Sequence, residues 1–551
     1  MKTACPLDCY DACDVIYKDD KIGGDLCLHL NHYKKYEQIV TPTYKGKEIS
    51  LEDALLKLKE ILKSSNTTDI LHYRGSGNFS LMQEVTDHFF ASLGATLTDG
   101  TLCDGAGEAG IIEGRGININ MPISEIKKSE VVIIWGRNPH TTNSHLLPIL
   151  KDKTVIVIDP IKTKIAKQAD LHIQIKPRGD FYLAMLLSRF LHIESGCDID
   201  FLRELEVDYD DFYELTQTLR IKKTLEKIDV SLGQIGSLLS MIQNKKLAII
   251  CGVGVQKYRD GSDIMRAIDA FAVNLGLFGK EGCGVAYLGN SKDGIISPFK
   301  TKAKRISKVD TKFENFKTVF IQGANPSSQM PDSIRVKESL RKVKNIIYFG
   351  LYENETSEVA DLVIPAKDFL SKNDIRSSYS YSAIKEMPKV KDTKKGISEY
   401  DLSSYLCNEF NVKLEPEAFY INYFKSIKLE DKKQNIEEFE FLDSIDLGKV
   451  DKNRLHLITP KSTTALNSQF NRQEFVYINS SLGFKENEEL EVSSSSGSVN
   501  LKVKLCDVLR DDCVMIYSGT RGVNNLTTSL HSYSGKCAVY QENQVILKRL
   551  D

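Results

Sequence analysis

Short, unbroken apolar runs separated by longer amphipathic stretches mark the chain between residues 131 and 365: VVIIW, TVIVI, LAIIC, TVFIQ, NIIYF and LVIP. Runs of this length, rich in β-branched residues, predict strands with helices between them, so the expected class is α/β with parallel sheets. Two of the runs share one plan. VVIIWGRNP (131–139) and TVFIQGANP (318–326) are apolar strands ending in G-x-N-P. TVIVIDP (154–160) and AKQADLHIQIKP (166–177) follow the first, and NIIYFGLYENETSEVADLVIP (345–365) follows the second. Strand, turn, strand, then Ala-Asp before another strand therefore occurs twice. LAIICGVGVQ (247–256) is a further strand-to-glycine turn between the copies.

A strand that ends in glycine lets the backbone approach a phosphate, and an acidic residue at the end of the next strand accepts hydrogen bonds from a ribose or a base. Each copy is therefore expected to hold one nucleotide. The plainer reading of a single copy is that Asp159, Asp170 and Asp361 cap strand ends while Gly136 and Gly323 serve turns; two matched copies favour the ligand.

At the N-terminus, DVIY and KI read as strands joined by a KDDK turn. That hairpin returns Cys27 to a loop holding Cys5, Cys9 and Cys13, and the spacing C-x3-C-x3-C-x13-C lets the thiolates face one centre. Soft thiolate ligands suit a four-thiolate zinc site or an iron–sulfur cluster, and spacing alone does not separate the two. Toward the C-terminus, KEMPKVKDTKKGISEYD (385–401) and KLEDKKQNIEEFEF (428–441) are charged and poor in apolar residues, which predicts solvated loop and linker, and SSSSGS (493–498) predicts a turn.

Length and charge narrow the function classes. A chain of 551 residues is too long for one hydrophobic core and predicts three or four domains. Its 73 Lys and Arg against 75 Asp and Glu leave a net charge of −2, so no basic field points to nucleic acid or an anionic membrane. No apolar run approaches the roughly 18 residues of a spanning helix, and Met1-Lys2 runs into the cysteines without a charged or apolar leader, so the expected location is the cytoplasm. A reducing compartment turns the N-terminal group among the 12 cysteines toward metal binding rather than disulfides.

In order along the chain, CPLDCYDAC with Cys27, TPTYKGKEISLEDALLKLKEIL (41–62), LCDGAGEAG (102–110), WGRNP, VIDP, ADLHIQI, QGANP and ADLVIP resemble the molybdopterin-dependent oxidoreductases of the dimethyl sulfoxide reductase and formate dehydrogenase type. RLHLITPKSTTALNSQF (454–470), LEVSSSSGSV (490–499) and NNLTTSLHSYSGKCAVY (524–540) resemble the dinucleotide-binding β-barrel that closes those enzymes. The C-x3-C-x3-C variant, ADLVIPAKDFLSKNDIRSSYS (360–380) and NNLT are most similar to a cytoplasmic branch of unsettled substrate.

The resemblance implies an α/β architecture of four domains: an N-terminal iron–sulfur subdomain (1–45), a discontinuous Rossmann-like domain (46–98 and 296–385), a second Rossmann-like domain inserted in it (99–295), and a C-terminal β-barrel (441–551) after a charged connecting segment (386–440). It implies a [4Fe-4S] cluster on Cys5, Cys9, Cys13 and Cys27 beside molybdenum or tungsten held by two guanine-dinucleotide pterins, one on each G-x-N-P unit. Cofactor contacts are then expected from His29, Gly136, Asn138, Asp159, Asp180, Gly323, Asn325, Asp361, Asn467 and Asn525. The metal ligand is expected to be Cys103, with Asp104 as the alternative ligand and an acid or base candidate, and the flanking glycines are expected to admit the bulky cofactor. Cys197, Cys251, Cys283, Cys407, Cys506, Cys513 and Cys537 are expected to be ordinary buried thiols.

Three positions depart from the family. Asp104 stands where formate dehydrogenases carry a histidine, and GCGVAYLGN (282–290) offers Leu288 where they carry an arginine, which argues against formate as the substrate. His29 takes the basic position after the last cluster cysteine, either as a hydrogen-bond donor to the pterin or as a solvated loop residue. Glu108 is expected on the helical face of Asp104, and His140 and His145 on a loop of the nucleotide domain. The expected function is a redox enzyme with a small-molecule substrate and an electron-transfer protein or iron–sulfur subunit as partner; a non-redox hydratase or transhydroxylase and a non-catalytic scaffold are the alternatives. The chain is short for the family, which predicts trimmed loops around the substrate funnel.

Overall fold

The apolar runs form two parallel sheets whose strand order, more than their sequence, explains where a ligand can sit. A computed structural model describes the chain except residues 8–9, 12, 25–26, 28, 31–35, 76–79, 208, 290, 300–301, 380–381, 446–450, 452 and 551. One sheet has five strands in the order Leu171–Ile173, Thr154–Ile158, Val131–Trp135, Leu247–Cys251 and Gly284–Ala286, all parallel. The second runs Arg305–Ser307, Thr96–Asp99, Ile70–Arg74, Thr318–Gln322, Asn345–Gly350 and Leu362–Pro365 in parallel, then adds the antiparallel pair Thr43–Tyr44 and Lys47–Glu48 at one edge. These are doubly wound sheets, and in each the order of strand connection reverses between two central strands.

The repeat seen in the sequence is half of a larger one. In the first sheet the strand ending in G-x-N-P is followed later in the chain by its neighbours Leu247–Cys251 and Gly284–Ala286; in the second, the equivalent strands Ile70–Arg74 and Thr96–Asp99 come before it. The two units are circular permutations of one topology. The register confirms the match, since Trp135 pairs with Ile158 and Cys251 as Gln322 pairs with Phe349 and Arg74.

Helices cover both faces. Asp180–Ile193 and Gly261–Asn274 are apolar along most of their length and bury nearly every residue against the first sheet around Trp135 and Ile158. Gly105–Arg115 crosses Gly261–Asn274 so closely that a methyl on Gly110 would overlap Ser262, and the bidentate, fully buried Arg115–Asp269 pair (2.7 and 2.5 Å) locks the crossing. These glycines serve helix packing. Gly107 instead rests on Gln256, whose Oε1 accepts the Gly107 N–H at 2.6 Å, so the expectation that this loop's glycines admit a cofactor is corrected at positions 105, 107 and 110.

At the N-terminus Lys2–Ala4, Asp14–Lys18 and Lys21–Gly23 form a three-stranded antiparallel sheet, turning at Asp19 and Asp20 with φ of 50° and 56° as a two-residue hairpin requires. At the C-terminus six strands between Leu455 and Arg549 close into a barrel filled by Leu457, Val476, Ile478, Val503 and Val514. The charged segments expected to be solvated are pinned in part. Met387 is buried in a strand, and Gln434 exchanges hydrogen bonds with the backbone of Val285 (2.7 and 2.8 Å), acting as an edge partner for the first sheet. Among the described residues no helix is long and apolar enough to cross a membrane.

Candidate active site

Both reversal points open into one cavity of about 880 Å3. In the first sheet the turn begins at Gly136 (φ +61°), whose N–H bonds to Ile158 O (2.8 Å), and the neighbouring strand ends at Gly252, whose N–H bonds to Trp135 O (2.7 Å). The second sheet repeats this with Gly323 (φ +55°) on Phe349 O (2.9 Å) and Gly75 on Gln322 O (2.9 Å). A Cβ on Gly75 would lie 2.5 Å from Gly323 O, and one on Gly252 would overlap Gly136 O, so paired glycines bring the strand ends together. A Cβ on Gly323 would meet nothing within 4 Å, because that turn faces the open cavity.

The acids divide by sheet end. Asp159 and Asp180 line the cavity at the carboxyl ends of the first sheet's strands. Burial pushes Asp159 up to about 7, with the charge of Asp180 adding to it, and burial pushes Asp180 up to about 6 although Trp135 Nε1 donates to it at 2.8 Å. Asp361 does not line the cavity. It caps a strand at the opposite end of its sheet, accepting from Ile346 N at 2.8 Å as Asp170 accepts from Val155 N at 2.8 Å, so the ligand role expected for Asp361 is corrected.

The asparagines also part company. Asn138 lines the cavity with a buried Oδ1 that has no partner among the described residues. Asn325 is on the wall but committed to Glu355 (2.8 Å), Ser468 (3.1 Å) and Thr356 (2.8 Å). From the barrel, Asn467 reaches the cavity, whereas Asn525 is turned away, accepting from Ser333 Oγ at 2.7 Å; its neighbour Asn524 takes the place on the wall.

Cys103 is on the cavity wall, half-buried, with Thr101 Oγ1 at 3.0 Å from its sulfur and accepting its backbone N–H at 3.0 Å. Asp104 is only 7% exposed at the start of the helix below and is not on the wall, so its expected role as a cavity acid or base is corrected. Glu108 bonds to Asn118 (2.6 Å), and burial raises its pKa. Leu288 is on the wall, and Lys257 and Lys308 share the cavity with it and with Cys103. The family's histidine and arginine are absent as expected, and the cavity that Cys103 lines carries both lysines and the carboxyls of Asp159 and Asp180.

The cysteine loop docks beside this cavity. Cys5, Cys13 and Cys27 are 1%, 1% and 4% exposed; Cys9 lies outside the described residues. Leu7 N–H points at Cys5 Sγ (3.4 Å) and His145 Nε2 lies 3.8 Å from Cys13 Sγ. Asp11 holds the receiving turn by accepting from Ser144 N (2.9 Å), Ser144 Oγ (2.7 Å) and His145 N (3.0 Å). His29 is buried on the cavity wall with Nε2 3.1 Å from Thr141 O, which overturns the solvated reading.

Residues 51–409 match the family model described as molybdopterin oxidoreductase, and residues 448–542 match the molydopterin dinucleotide binding domain. The chain belongs to the molybdopterin oxidoreductase family. It is 29% identical over 432 residues to a probable oxidoreductase, YyaE, of Bacillus subtilis (strain 168), covering 69% of this chain and 64% of the relative. It is 24% identical over 316 residues to the F420-dependent formate dehydrogenase subunit alpha of Methanocaldococcus jannaschii, covering 51% and 46%. The chain thus spans just under two thirds of the length of YyaE and less of the dehydrogenase subunit. Among solved structures, acetylene hydratase from Pelobacter acetylenicus shares the fold with a TM-score of 0.76 at 14% identity, over 94% of this chain and 93% of that one.

A family member needs room and partners for a pterin dinucleotide, and the cavity supplies both. Its wall carries the buried Asn138 Oδ1 and Ser518 Oγ, which have no partner among the described residues, and the lysines Lys162 and Lys164, whose charge suits a pyrophosphate. For a cluster, the buried soft donors, the Leu7 N–H aimed at Cys5 Sγ and the His145 ring beside Cys13 Sγ are the right chemistry. Among the described residues no three ligand side chains converge on one ion. Sequence reasoning missed Thr101, Asp11, Lys257 and Lys308. Thr101 alone had a signal, a hydroxyl two residues before the cysteine in DGTLC.

Proposed function

We propose that this protein is a molybdenum or tungsten pterin oxidoreductase that passes electrons between a small substrate bound beside Cys103 and an external carrier, through an N-terminal [4Fe-4S] cluster on Cys5, Cys9, Cys13 and Cys27. The observation that carries the reading is the single cavity joining both glycine turns to Cys103, with the cysteine loop docked at its side through Asp11, His29 and His145. The partners are a small molecule and an electron-transfer protein or iron–sulfur subunit, and the location is the cytoplasm, where thiolate ligands stay reduced.

When bound, the pterin metal supplies two-electron chemistry at one end and the cluster one-electron transfer at the other. The chain's own residues do the rest. Gly136, Gly252, Gly75 and Gly323 present backbone to the two nucleotide halves. Asp159 and Asp180 offer acceptors to the donor edge of a base, and Asn138, Asn467 and Asn524 hold the groups between. Cys103 contributes a thiolate ligand that Thr101 orients. His29, fixed by donating its Nε2–H to Thr141 O, borders the cofactor on the side nearest the cysteine loop. Asp104 is buried at the start of the helix below, off the cavity wall, and accepts from Thr101 Oγ1 at 3.4 Å.

The test is anaerobic. Purified protein is mixed with candidate substrates while the cluster is followed by electron paramagnetic resonance and a viologen dye by absorbance. A substrate that changes the oxidation state of both supports an oxidoreductase; conversion of a substrate with the cluster and dye untouched would make the protein a hydratase or transhydroxylase instead.

A further inference from the structure

Lys308 follows the edge strand Arg305–Ser307, and its backbone is tied to Asp99 O at 3.0 Å, so the side chain projects from a fixed point on the cavity wall. Two nearby acids, Asp87 and Glu84, are already paired. Asp87 accepts three hydrogen bonds from Arg74 (2.7–3.1 Å) and faces His72 at 3.2 Å; Glu84 takes Lys292 and lies 3.7 Å from Arg74. That network ties in the segment of Leu288 through Lys292, four residues on, and its two acids are matched by Arg74 and Lys292. Lys257, the other lysine near Cys103, stacks its ammonium over the Tyr540 ring at 4.7 Å. The Lys308 ammonium has no ion-pair or hydrogen-bond partner among the described residues, and it lines the same cavity as Cys103. Burial, with the nearby Arg74 adding to it, lowers its pKa to about 8 against the opposing charge of Asp87.

We propose that Lys308 is a specificity-determining residue that binds the substrate beside Cys103, and that this substrate is a small oxyanion, either a carboxylate or an inorganic one. The cation missing at position 288 is thereby supplied from another strand. An ammonium on a flexible stem is a point charge without the planar fork of a guanidinium, so it accepts anions of differing geometry. The proposal rests on the oxidoreductase reading for the metal at Cys103, and its test is separable from that reading.

The test uses the full chain, purified anaerobically, with formate and nitrate as anionic probes and dimethyl sulfoxide as a neutral one. Lysines are acetylated briefly and the rate at Lys308 is read by mass spectrometry against exposed Lys312. Formate or nitrate at ten times its dissociation constant should slow labelling at Lys308 about tenfold, as site occupancy requires, and dimethyl sulfoxide should not. Lys308→Met should keep the metal and pterin content of the wild type yet lose the anion-induced change in the metal's paramagnetic spectrum, and Lys308→Arg should retain that change. Labelling indifferent to both anions, equal protection by dimethyl sulfoxide, or loss of pterin from Lys308→Met would overturn the proposal, the last by assigning Lys308 to the cofactor's phosphates. Wild-type protein without molybdenum or tungsten would sink the oxidoreductase reading, while the labelling would still judge Lys308.

Discussion

Asp159→Asn should stabilise the cofactor-free protein at alkaline pH while weakening its grip on the cofactor. The carboxyl titrates near 3.8 when unfolded and is pushed to about 7 by burial in the folded chain. Between those values the folded state holds a proton that the unfolded state has released, so stability falls as pH rises through the window. Below 3.8 both states are protonated and nothing is lost; above about 7 the loss is complete, and a gap of about 3 units corresponds to about 4 kcal/mol. Asparagine has no such proton, so at about pH 8 the variant should be the more stable by up to about 4 kcal/mol, with the difference vanishing near pH 4. The protein carries its own reporter: Trp135 is the single tryptophan, fully buried in the same sheet and bonded to Asp180. Urea titrations followed by its fluorescence read that domain directly. A variant no more stable than wild type at alkaline pH, or a difference that does not grow with pH, would refute an acid held against its ionisation for the sake of a ligand.

The paired glycines should separate packing from ligand contact. Gly252→Ala overlaps Gly136 O and should cost about 3 kcal/mol or more, whereas Gly323→Ala meets no atom within 4 Å, should cost about 1 kcal/mol for its φ of +55°, and should lose pterin out of proportion to stability. Unfolding curves paired with pterin analysis check both. His145→Leu removes the ring facing Cys13 Sγ at 3.8 Å and should lower the cluster's reduction potential in a potentiometric paramagnetic titration without loss of iron; an unchanged potential would mean the ring donates nothing to that sulfur. Cys103→Ala should keep its iron and most of its pterin while turnover is lost and the metal spectrum changes. Asp104→Ala should leave that spectrum alone, and the reverse pattern would transfer the ligand to Asp104.

The strands were legible because both-face burial writes itself as continuous apolar runs, and the N-terminal hairpin because DVIY, KDDK and KI alternate and turn at the expected residues. Only half of the repeat could be read, since circular permutation separates equivalent strands, and Ile70–Arg74 ends in a glycine without the Asn-Pro that marks its partner. Chemistry was harder. Asp159 and Asp361 have the same neighbours in sequence, strand on one side and turn on the other, but they sit at opposite ends of their sheets, and only the carboxyl end faces a ligand. Asn524 and Asn525 differ by one position in a short turn, where one residue of phase decides between cavity and barrel contact. Lys257 and Lys308 have no pattern around them, because a lone lysine after a turn or an edge strand reads as surface until the third dimension encloses it.

The central claim is a pterin metal and an iron–sulfur cluster in one chain, and elemental and pterin analysis of anaerobically purified protein tests it most directly. The account predicts about four iron and about one molybdenum or tungsten per chain, with the oxidised extract showing the fluorescence of a pterin carrying guanine nucleotide. Zinc in place of iron, with no pterin fluorescence, would contradict it.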